Sequence, residues 1–157
     1  MLCRVAETHF DEWIAQRYET LWPELFHPAA LDPAVDFLSD LAGAGPALEL
    51  GIGTGRVALP LSRRGIRLHG IELSPAMVAQ LQTQHGASDI SVTIGDFATA
   101  EAGATFTLAY LLRNTITNLT TKTNRSSASV TSPRTWSPAA GSSSRTTSLS
   151  FNVCRLA

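Results

Sequence analysis

Seven residues in the first half of the chain, Glu49 to Gly55, have types and spacing that suit binding of a small polar ligand. They read ELGIGTG, so an acid opens the run and glycines stand at positions 51, 53 and 55. Glycine lets the backbone turn sharply and lets a ligand approach main-chain atoms closely. A dinucleotide-binding loop needs G-x-G-x-x-G, and that frame puts Arg56 at its third glycine position. The spacing therefore disfavours a nicotinamide-dependent oxidoreductase, and a glycine-rich turn without a ligand is the other alternative.

Two further acids follow apolar segments farther along the chain. Glu72 comes directly after Ile66–Ile71, about one strand and one helix beyond Glu49, and Asp96 follows Ile90–Ile94. A carboxylate at the carboxyl end of a strand can accept hydrogen bonds from both ribose hydroxyls of a nucleoside. Glu72 is the acid at the position that suits this role.

Alternating apolar and amphipathic segments predict the elements that hold these acids. Four segments are predicted as strands, namely Ala47–Leu50, Ile66–Ile71, Ile90–Ile94 and Phe106–Leu111. One helix is predicted over Arg56–Arg64, and a second begins after Ser74, a favourable N-cap, with Pro75 in its first turn. Strands that alternate with helices indicate an α/β fold with a doubly wound parallel sheet.

Two helices are predicted before the first strand. The first is indicated by an apolar stripe that ends before Pro23, formed by Phe10, Trp13, Ile14, Tyr18 and Leu21. This helix either packs on the core or covers a ligand pocket with Tyr18. The second is predicted to begin at the N-cap Asp32, with Pro33 in its first turn, and to end at Gly43. Its predicted buried side chains are Val35, Phe37, Leu38 and Leu41.

The glutamate, the three glycines and the two later acids together resemble the motifs of class I S-adenosylmethionine-dependent methyltransferases. The resemblance extends over roughly residues 8 to 121. It implies a Rossmann-like doubly wound sheet of the class I methyltransferase type, truncated after the fourth strand. It also implies S-adenosylmethionine as the cofactor and a methyl-transfer activity. Thr107 is a mild departure, because relatives often have an aspartate there.

The resemblance assigns cofactor contacts residue by residue. The glycine loop, with Gly51, Gly53 and Gly55, takes the methionine part, and Glu49 organises the site around the methionine amino group. Glu72 binds the ribose. Residues assigned to the adenine are Leu73, Met77, Asp96 and Phe97, although core packing is the alternative for Met77. Residues placed under the methionine are Leu112, Arg113 and Asn114, and Tyr18 is the candidate lid residue.

No catalytic residue is assigned by the sequence. Methyl transfer needs an aligned acceptor in a dry pocket, and a base only if the acceptor is protonated. The candidate bases are His9, His27, His69 and His85, of which the last two fit structural roles better. We expect a small-molecule methyl acceptor, no nucleic acid, no membrane, no metal and a cytoplasmic location. Cys3 and Cys154 are expected to be free thiols.

The charge and composition change near residue 121. All 13 acids lie at or before Glu101, whereas residues 122–157 carry five basic residues, no acid, and 15 Ser or Thr among 36 residues. This composition is typical of disorder. Arg outnumbers Lys 11 to 1, which indicates a GC-rich gene. When the segment is written as codons and the frame is shifted, silent bases can be chosen that give an acidic helix, a Pro-Gly-Gly turn and an apolar strand.

These shifted elements are the ones that the fold lacks after its fourth strand. We therefore divide the chain into residues 1–121, the N-terminal helices with the cofactor-binding half, and residues 122–157, a disordered and out-of-frame segment. A genuine disordered basic segment is the alternative. If the segment has no fixed structure, the fourth strand should have an open edge.

Overall fold

The structure is a computed structural model that describes residues 10–112 and the backbone of residues 151–155. Its helices are α1 (Glu12–Leu21), α2 (Pro28–Ala42), α3 (Ala58–Arg63) and α4 (Pro75–Gln82). Its strands are β1 (Ala47–Leu50), β2 (Leu68–Glu72), β3 (Ile90–Ile94), β4 (Leu108–Leu112) and β5 (Phe151–Arg155). Short 3₁₀ turns occupy Pro23–Leu25 and Ala87–Asp89.

The strands form one sheet in the order β3-β2-β1-β4-β5. The first four are parallel, with β1 between β2 and β4, so the predicted doubly wound α/β sheet is confirmed. The chain turns to one side of β1 when it forms β2 and to the other side when it returns as β4. In such sheets the carboxyl ends of the strands beside this reversal form a crevice that binds ligands.

The sheet is buried on both faces by side chains that alternate along each strand. On one face α2, α3 and α4 pack through a cluster that includes Val35, Leu38, Leu61 and Leu81. On the other face Leu48, Leu50, Ile71, Ala109 and Leu111 form a second cluster, against which Phe97 and Phe106 pack. Residues 47, 49, 108, 110 and 112 point toward the first face. The side chains of Glu49 and Tyr110 therefore lie on the same side of the sheet.

The N-terminal helices differ in detail from the prediction. In α1 the buried residue is Ala15. Of the predicted stripe, Phe10, Ile14 and Tyr18 are half-buried, whereas Trp13 and Leu21 are exposed. Helix α2 begins at Pro28, five residues before Pro33, which the predicted N-cap Asp32 would make the first helical residue. The side chain of His27 accepts from the N–H of Ala29 and caps it, so Asp32 is not the N-cap.

The buried face of α2 is also shifted from the predicted one. Ala34, Val35, Leu38 and Ala42 are buried, while Phe37 is about half exposed. Because the helix begins at Pro28, Pro33 lies inside the helix rather than in its first turn, where the prediction placed it. Gly43 ends the helix with a positive φ of 57°, as predicted from its glycine.

The expectation of an open edge on β4 is wrong. The backbone of β5 pairs antiparallel with β4 along its whole length, from Leu108 opposite Arg155 to Leu112 opposite Phe151. An unpaired strand edge offers a row of free N–H and C=O groups, which a further strand can satisfy. The predictions for Arg113 and Asn114, and for most of residues 122–157, lie outside the described residues. Within the described residues, no helix has the length and apolar character to cross a membrane.

Candidate functional site

A small cavity lies at the carboxyl ends of β1 and β4, where the sheet order reverses. Its volume is about 70 Å³. It is lined by Tyr18, Glu49, Gly51, Ile52, Gly53, Thr54, Arg56 and Leu112. The walls thus come from β1, the glycine loop, the end of β4 and α1. The cavity is smaller than the roughly 300 Å³ or more of a site that encloses a whole drug-sized ligand, so it suits one end of a larger ligand.

The backbone of the glycine loop explains why glycines stand there. Gly51, Gly53 and Gly55 have φ values of 73°, 58° and 81°, in the left-handed region that other residues avoid. The N–H of Gly51 donates to the carbonyl of Ile71 at 2.8 Å, which fastens the loop to β2. A side chain on Gly55 would also strike Leu81 of α4. Gly55 therefore serves packing between loop and helix, while Gly51 and Gly53 line the cavity.

Glu72 fastens the glycine loop from the neighbouring strand. Its Oε2 accepts from the N–H of Gly53 at 2.8 Å and its Oε1 accepts from the N–H of Ser74 at 3.0 Å. Burial raises the pKa of Glu72, and the backbone N–H groups at Ser74, Gly53 and Leu73 oppose this rise. Each carboxylate oxygen can accept more than one hydrogen bond, so these bonds leave capacity for a ligand.

Glu49 and Tyr110 form a buried polar pair beside the cavity. The two residues stand opposite each other on β1 and β4, and the Tyr110 hydroxyl donates to Glu49 Oε2 at 3.0 Å. Glu49 is 4% exposed and Tyr110 is 1% exposed. Burial raises the pKa of Glu49 to about 8, which the Tyr110 hydrogen bond and the Arg56 charge oppose. At neutral pH Glu49 therefore holds a proton for most of the time.

Tyr18 covers the cavity from α1 and lies in an aromatic cluster. Its ring centroid is 5.0 Å from that of Trp22, 6.0 Å from Phe10 and 6.1 Å from Phe26. The Ser74 hydroxyl links this region to α4, because it donates to the carbonyl of Phe10 and accepts from the N–H of Met77. The helix thus packs on the domain and Tyr18 lines the cavity, while its role as a cover over a ligand stays a prediction.

The structure brings most of the residues assigned from the sequence to this region. Tyr18, Glu49, Gly51, Gly53 and Leu112 line the cavity itself. Met77 is buried, and its methyl group would be 3.4 Å from a Cβ on Gly53, so it packs under the loop. Glu72 bonds the same glycine. Leu73, which follows it, is half-buried.

Asp96 and Phe97 lie at the end of β3, beyond Glu72, and not among the described residues that line the cavity. The N–H of Gly95 donates to the Glu72 carbonyl at 2.8 Å, which holds this turn beside β2. The Asp96 carboxylate accepts from the N–H of Ala98 at 2.9 Å, and the Phe97 ring packs on the second face of the sheet. Arg113 lies outside the described residues.

Several residues at the cavity were not assigned from the sequence. Ile52, Thr54 and Arg56 line it, and Arg56 also donates from Nη1 to the Leu25 carbonyl at 3.1 Å. In the sequence, Arg56 was used only as evidence against a dinucleotide-binding loop. Its position directly after the glycine loop could also have indicated a residue that lines the cavity. Tyr110 could not be assigned without knowing that β4 pairs with β1.

Two of the described histidines, His69 and His27, have structural contacts. His69 Nε2 lies 2.8 Å from the Thr93 hydroxyl on the adjacent strand, and burial lowers the pKa of His69. His27 caps α2, His85 is exposed, and His9 lies outside the described residues. Within the part of the chain that the structure describes, no three His, Cys, Asp or Glu side chains are grouped as metal ligands.

Comparison with known proteins places this geometry in a family. The methyltransferase-domain family matches residues 47–132, more than half of the chain. Among solved structures, the CcbJ methyltransferase from Streptomyces caelestis is 31% identical with a TM-score of 0.58, over 65% of this chain and 45% of that one. CalS10 from Micromonospora echinaspora, an amino pentose methyltransferase, is 25% identical with a TM-score of 0.58, over 71% of this chain and 48% of that one.

A third structure shows the same fold at lower identity. A TehB-like methyltransferase from Corynebacterium glutamicum is 21% identical with a TM-score of 0.62, over 75% of this chain and 64% of that one. The chain spans just under half the length of CcbJ and CalS10. No curated protein matches it.

The chain belongs to the methyltransferase-domain family, and its sheet is that of the class I methyltransferases. The resemblance seen in the sequence is thus confirmed. The family match begins at Ala47, the first residue of β1, and includes the glycine loop, Glu72, Asp96 and β4.

Proposed function

We propose that this chain binds S-adenosylmethionine and acts as a methyltransferase on a small-molecule acceptor. One observation carries the proposal: a positive-φ glycine loop at the sheet reversal encloses a cavity against a buried acid, Glu49, and is itself fastened by a second acid, Glu72. A ligand with a cationic end and a ribose meets an acid at each of these two places. CalS10, the neighbour at 25% identity, is described as binding S-adenosylmethionine.

The residues present fit this cofactor. The methionine end belongs in the cavity, with its ammonium group at Glu49 and its carbon chain along Gly51 and Gly53, which line the cavity. Glu72 lies on the far side of Gly53 and suits the ribose hydroxyls. Leu73, Met77, Asp96 and Phe97 are proposed for the adenine, with Phe97 acting through its backbone N–H.

The remaining cavity residues are proposed to cover the bound cofactor and to exclude water from it. Tyr18 from α1 and Leu112 at the end of β4 close two sides of the cavity. When bound, the cofactor supplies a methyl group on a positively charged sulfur. The chain's own contribution is to hold that end of the ligand still and to keep water away from it, which favours displacement by an aligned acceptor atom.

A small-molecule acceptor is supported by the neighbours alone. CalS10 is described as acting on an amino pentose. CalS10 is roughly twice as long as the part of it that this chain matches. The segments that hold its acceptor therefore need not have counterparts here. For this reason the second candidate is a non-catalytic chain that binds the cofactor and transfers nothing.

Calorimetric titration of the chain with S-adenosylhomocysteine, and in parallel with NAD, tests the proposal. We expect saturable binding of S-adenosylhomocysteine and none of NAD. Absence of binding to both would refute the cofactor assignment. Incubation with S-adenosylmethionine and panels of small amines and alcohols then separates the two candidates, since only a methyltransferase produces S-adenosylhomocysteine in proportion to an added acceptor.

We further propose that residues 122–157 are an out-of-frame translation rather than a second functional unit. The acid-free, Ser- and Thr-rich composition supports this, as does the shifted reading that supplies a helix and a strand. Against it stand two findings: the family match continues to residue 132, and β5 pairs with β4.

A further inference from the structure

The pair formed by Glu49 and Tyr110 joins the two strands between which the cavity opens. Neighbouring parallel strands β1 and β4 place the two side chains on the same face, and the hydroxyl meets Glu49 Oε2 at 3.0 Å. Glu49 also lines the cavity. One oxygen of its carboxyl group is therefore held from the β4 side, which limits rotation of the group about its last bond. Because Glu49 lines the cavity, a ligand there can meet the rest of the carboxyl group.

The charged and titratable groups around Glu49 come from four elements. Tyr110 of β4 donates to it, Arg56 after the glycine loop attracts its charged form, Glu72 of β2 repels that form, and Tyr18 of α1 lines the same cavity. Burial outweighs the favourable contacts, and the pKa of Glu49 stands at about 8. Without a further positive charge, this carboxyl group is neutral near pH 7.

We propose that Tyr110 is a positioning residue for cofactor binding, which fixes the Glu49 carboxyl group toward the ammonium of the ligand, and that binding expels the proton that Glu49 holds in the free protein. The inference rests on the proposed function and goes beyond it. It makes the affinity for the amino-acid end of the cofactor depend on proton release. It also gives a role to a hydroxyl that lies behind the acid and not in the cavity.

The proton balance of the step is simple. The neutral carboxyl group of Glu49 loses its proton to a buffer base, and the resulting carboxylate pairs with the ligand ammonium, which keeps all of its own protons. No bond to carbon forms or breaks. The pair of opposite charges is favourable in a buried site only if both are hydrogen-bonded, and the Tyr110 hydroxyl supplies one of these bonds to the carboxylate.

Calorimetry in buffers of different ionisation enthalpy counts the protons released when S-adenosylhomocysteine binds. At pH 7 we expect close to one proton per ligand, because a group with a pKa of about 8 is mostly protonated there. Affinity should rise about tenfold from pH 6 to pH 7. 5′-Methylthioadenosine, which has the nucleoside but no amino-acid group, should release no proton and show no such rise.

Variants separate the roles of the two residues. Glu49→Gln should bind S-adenosylhomocysteine more weakly and release no proton. Tyr110→Phe removes a bond that favours the charged carboxylate, so its affinity should level off at a higher pH than that of the parent. Thr83→Val is the control, because it removes a hydroxyl that donates to the Gln80 carbonyl away from the cavity and should leave the pH profile in place.

The outcomes distinguish the inference from the proposed function. A parent chain that does not bind S-adenosylhomocysteine at any pH refutes the function. Tight binding without proton release, or an unchanged profile for Tyr110→Phe, overturns the inference and leaves the cofactor assignment intact. The proton count of the parent and of Glu49→Gln decides the question even if Tyr110→Phe does not fold.

Discussion

Glu72 has one observed and one proposed role at the scale of the single residue. Its carboxylate accepts from the N–H groups of Gly53 and Ser74, so it shapes the loop, and we propose that it also offers oxygens to a ligand. The sequence predicts a ribose ligand at the end of a strand and, because such a side chain would face a cleft, little effect of its loss on folding. Its burial and its two backbone bonds contradict the second half of that expectation, since removing it leaves two N–H groups without an acceptor.

Glu72→Ala should therefore weaken both ligand binding and folding. We expect affinity for S-adenosylhomocysteine to fall by about 1–3 kcal/mol, the usual loss for a charged hydrogen-bond partner. The free energy of unfolding should fall by a similar amount. Calorimetry and urea unfolding measure the two effects. Glu101→Ala, at an exposed acid away from the cavity, is the control and should change neither. Unchanged affinity in Glu72→Ala would remove this residue from the site.

The raised pKa of Glu49 predicts how stability depends on pH. The folded value of about 8 lies above the ordinary value of 4.5, so between these values the folded chain holds a proton that the unfolded chain has lost. The contribution of Glu49 to the free energy of unfolding is thus fully present below pH 4.5 and is lost as the pH rises through 8. We expect the melting temperature of the parent to fall relative to that of Glu49→Gln between pH 5 and pH 8. Parallel curves for the two proteins would contradict the burial of a titrating acid.

At the scale of the element, the glycine loop combines a left-handed backbone with the lining of the cavity. Gly53 has a φ of 58° and lines the cavity, whereas Gly103 has a φ of 64° with open space around it. Valine at either position should cost about 1–2 kcal/mol of stability, the penalty of a left-handed backbone for a residue with a Cβ. The two positions thus form a matched pair.

Only Gly53→Val should abolish binding of S-adenosylhomocysteine, while Gly103→Val should bind like the parent. Titration calorimetry with thermal melting of both variants makes the comparison. Equal affinity of the two variants would mean that the loop is a turn without a ligand.

The Ser74 hydroxyl joins α4 to the segment that leads into α1. Ser74→Ala removes the N-cap bond to Met77 and the donor to the Phe10 carbonyl. The loss should be about 1 kcal/mol or somewhat more, as for other N-caps. Amide hydrogen exchange in α1 should speed up as well, because the link to α4 is gone. The exposed Ser91 of β3 gives the control variant Ser91→Ala, and equal exchange in both would show that the link does not hold α1.

Local signals predicted the elements that stand at the site better than those that surround it. The bounds of β1 and β3 are as predicted, and so is the Ser74 cap, because a short apolar run between turn residues and a serine before a proline have few competing structures. The predicted start of α2 was wrong, since Asp32 offers a good local cap but the His27 side chain caps the helix instead and Pro28 takes its first position. The partnership of Glu49 with Tyr110 depends on strand order, which no local pattern contains.

For the whole molecule, the proposed change of reading frame after residue 121 can be tested in the coding DNA. If the frame shifts there, the coding DNA around codon 122 should show a missing or extra base relative to a sequence that encodes the helix and strand of the shifted reading. A chain expressed in the shifted frame should melt at a higher temperature than the present chain. Addition of S-adenosylhomocysteine should also raise its melting temperature by more. Equal cooperative melting of both chains, with protected amides in β5, would make residues 122–157 a genuine part of the fold.

The walls of the cavity are far apart along the chain. Glu49 and Tyr110 are separated by 61 positions along the chain. The Ser74 hydroxyl likewise donates to the carbonyl of Phe10, which lies 64 positions before it. A nascent chain that has emerged only as far as α4 already contains the glycine loop and Glu72 but has no wall from β4. Contacts between such distant positions form late, since the entropy of closing the loop comes first. A metabolite that occupies the finished cavity therefore stabilises only the last stage of folding, and the cellular supply of that metabolite would influence how much of the newly made protein survives.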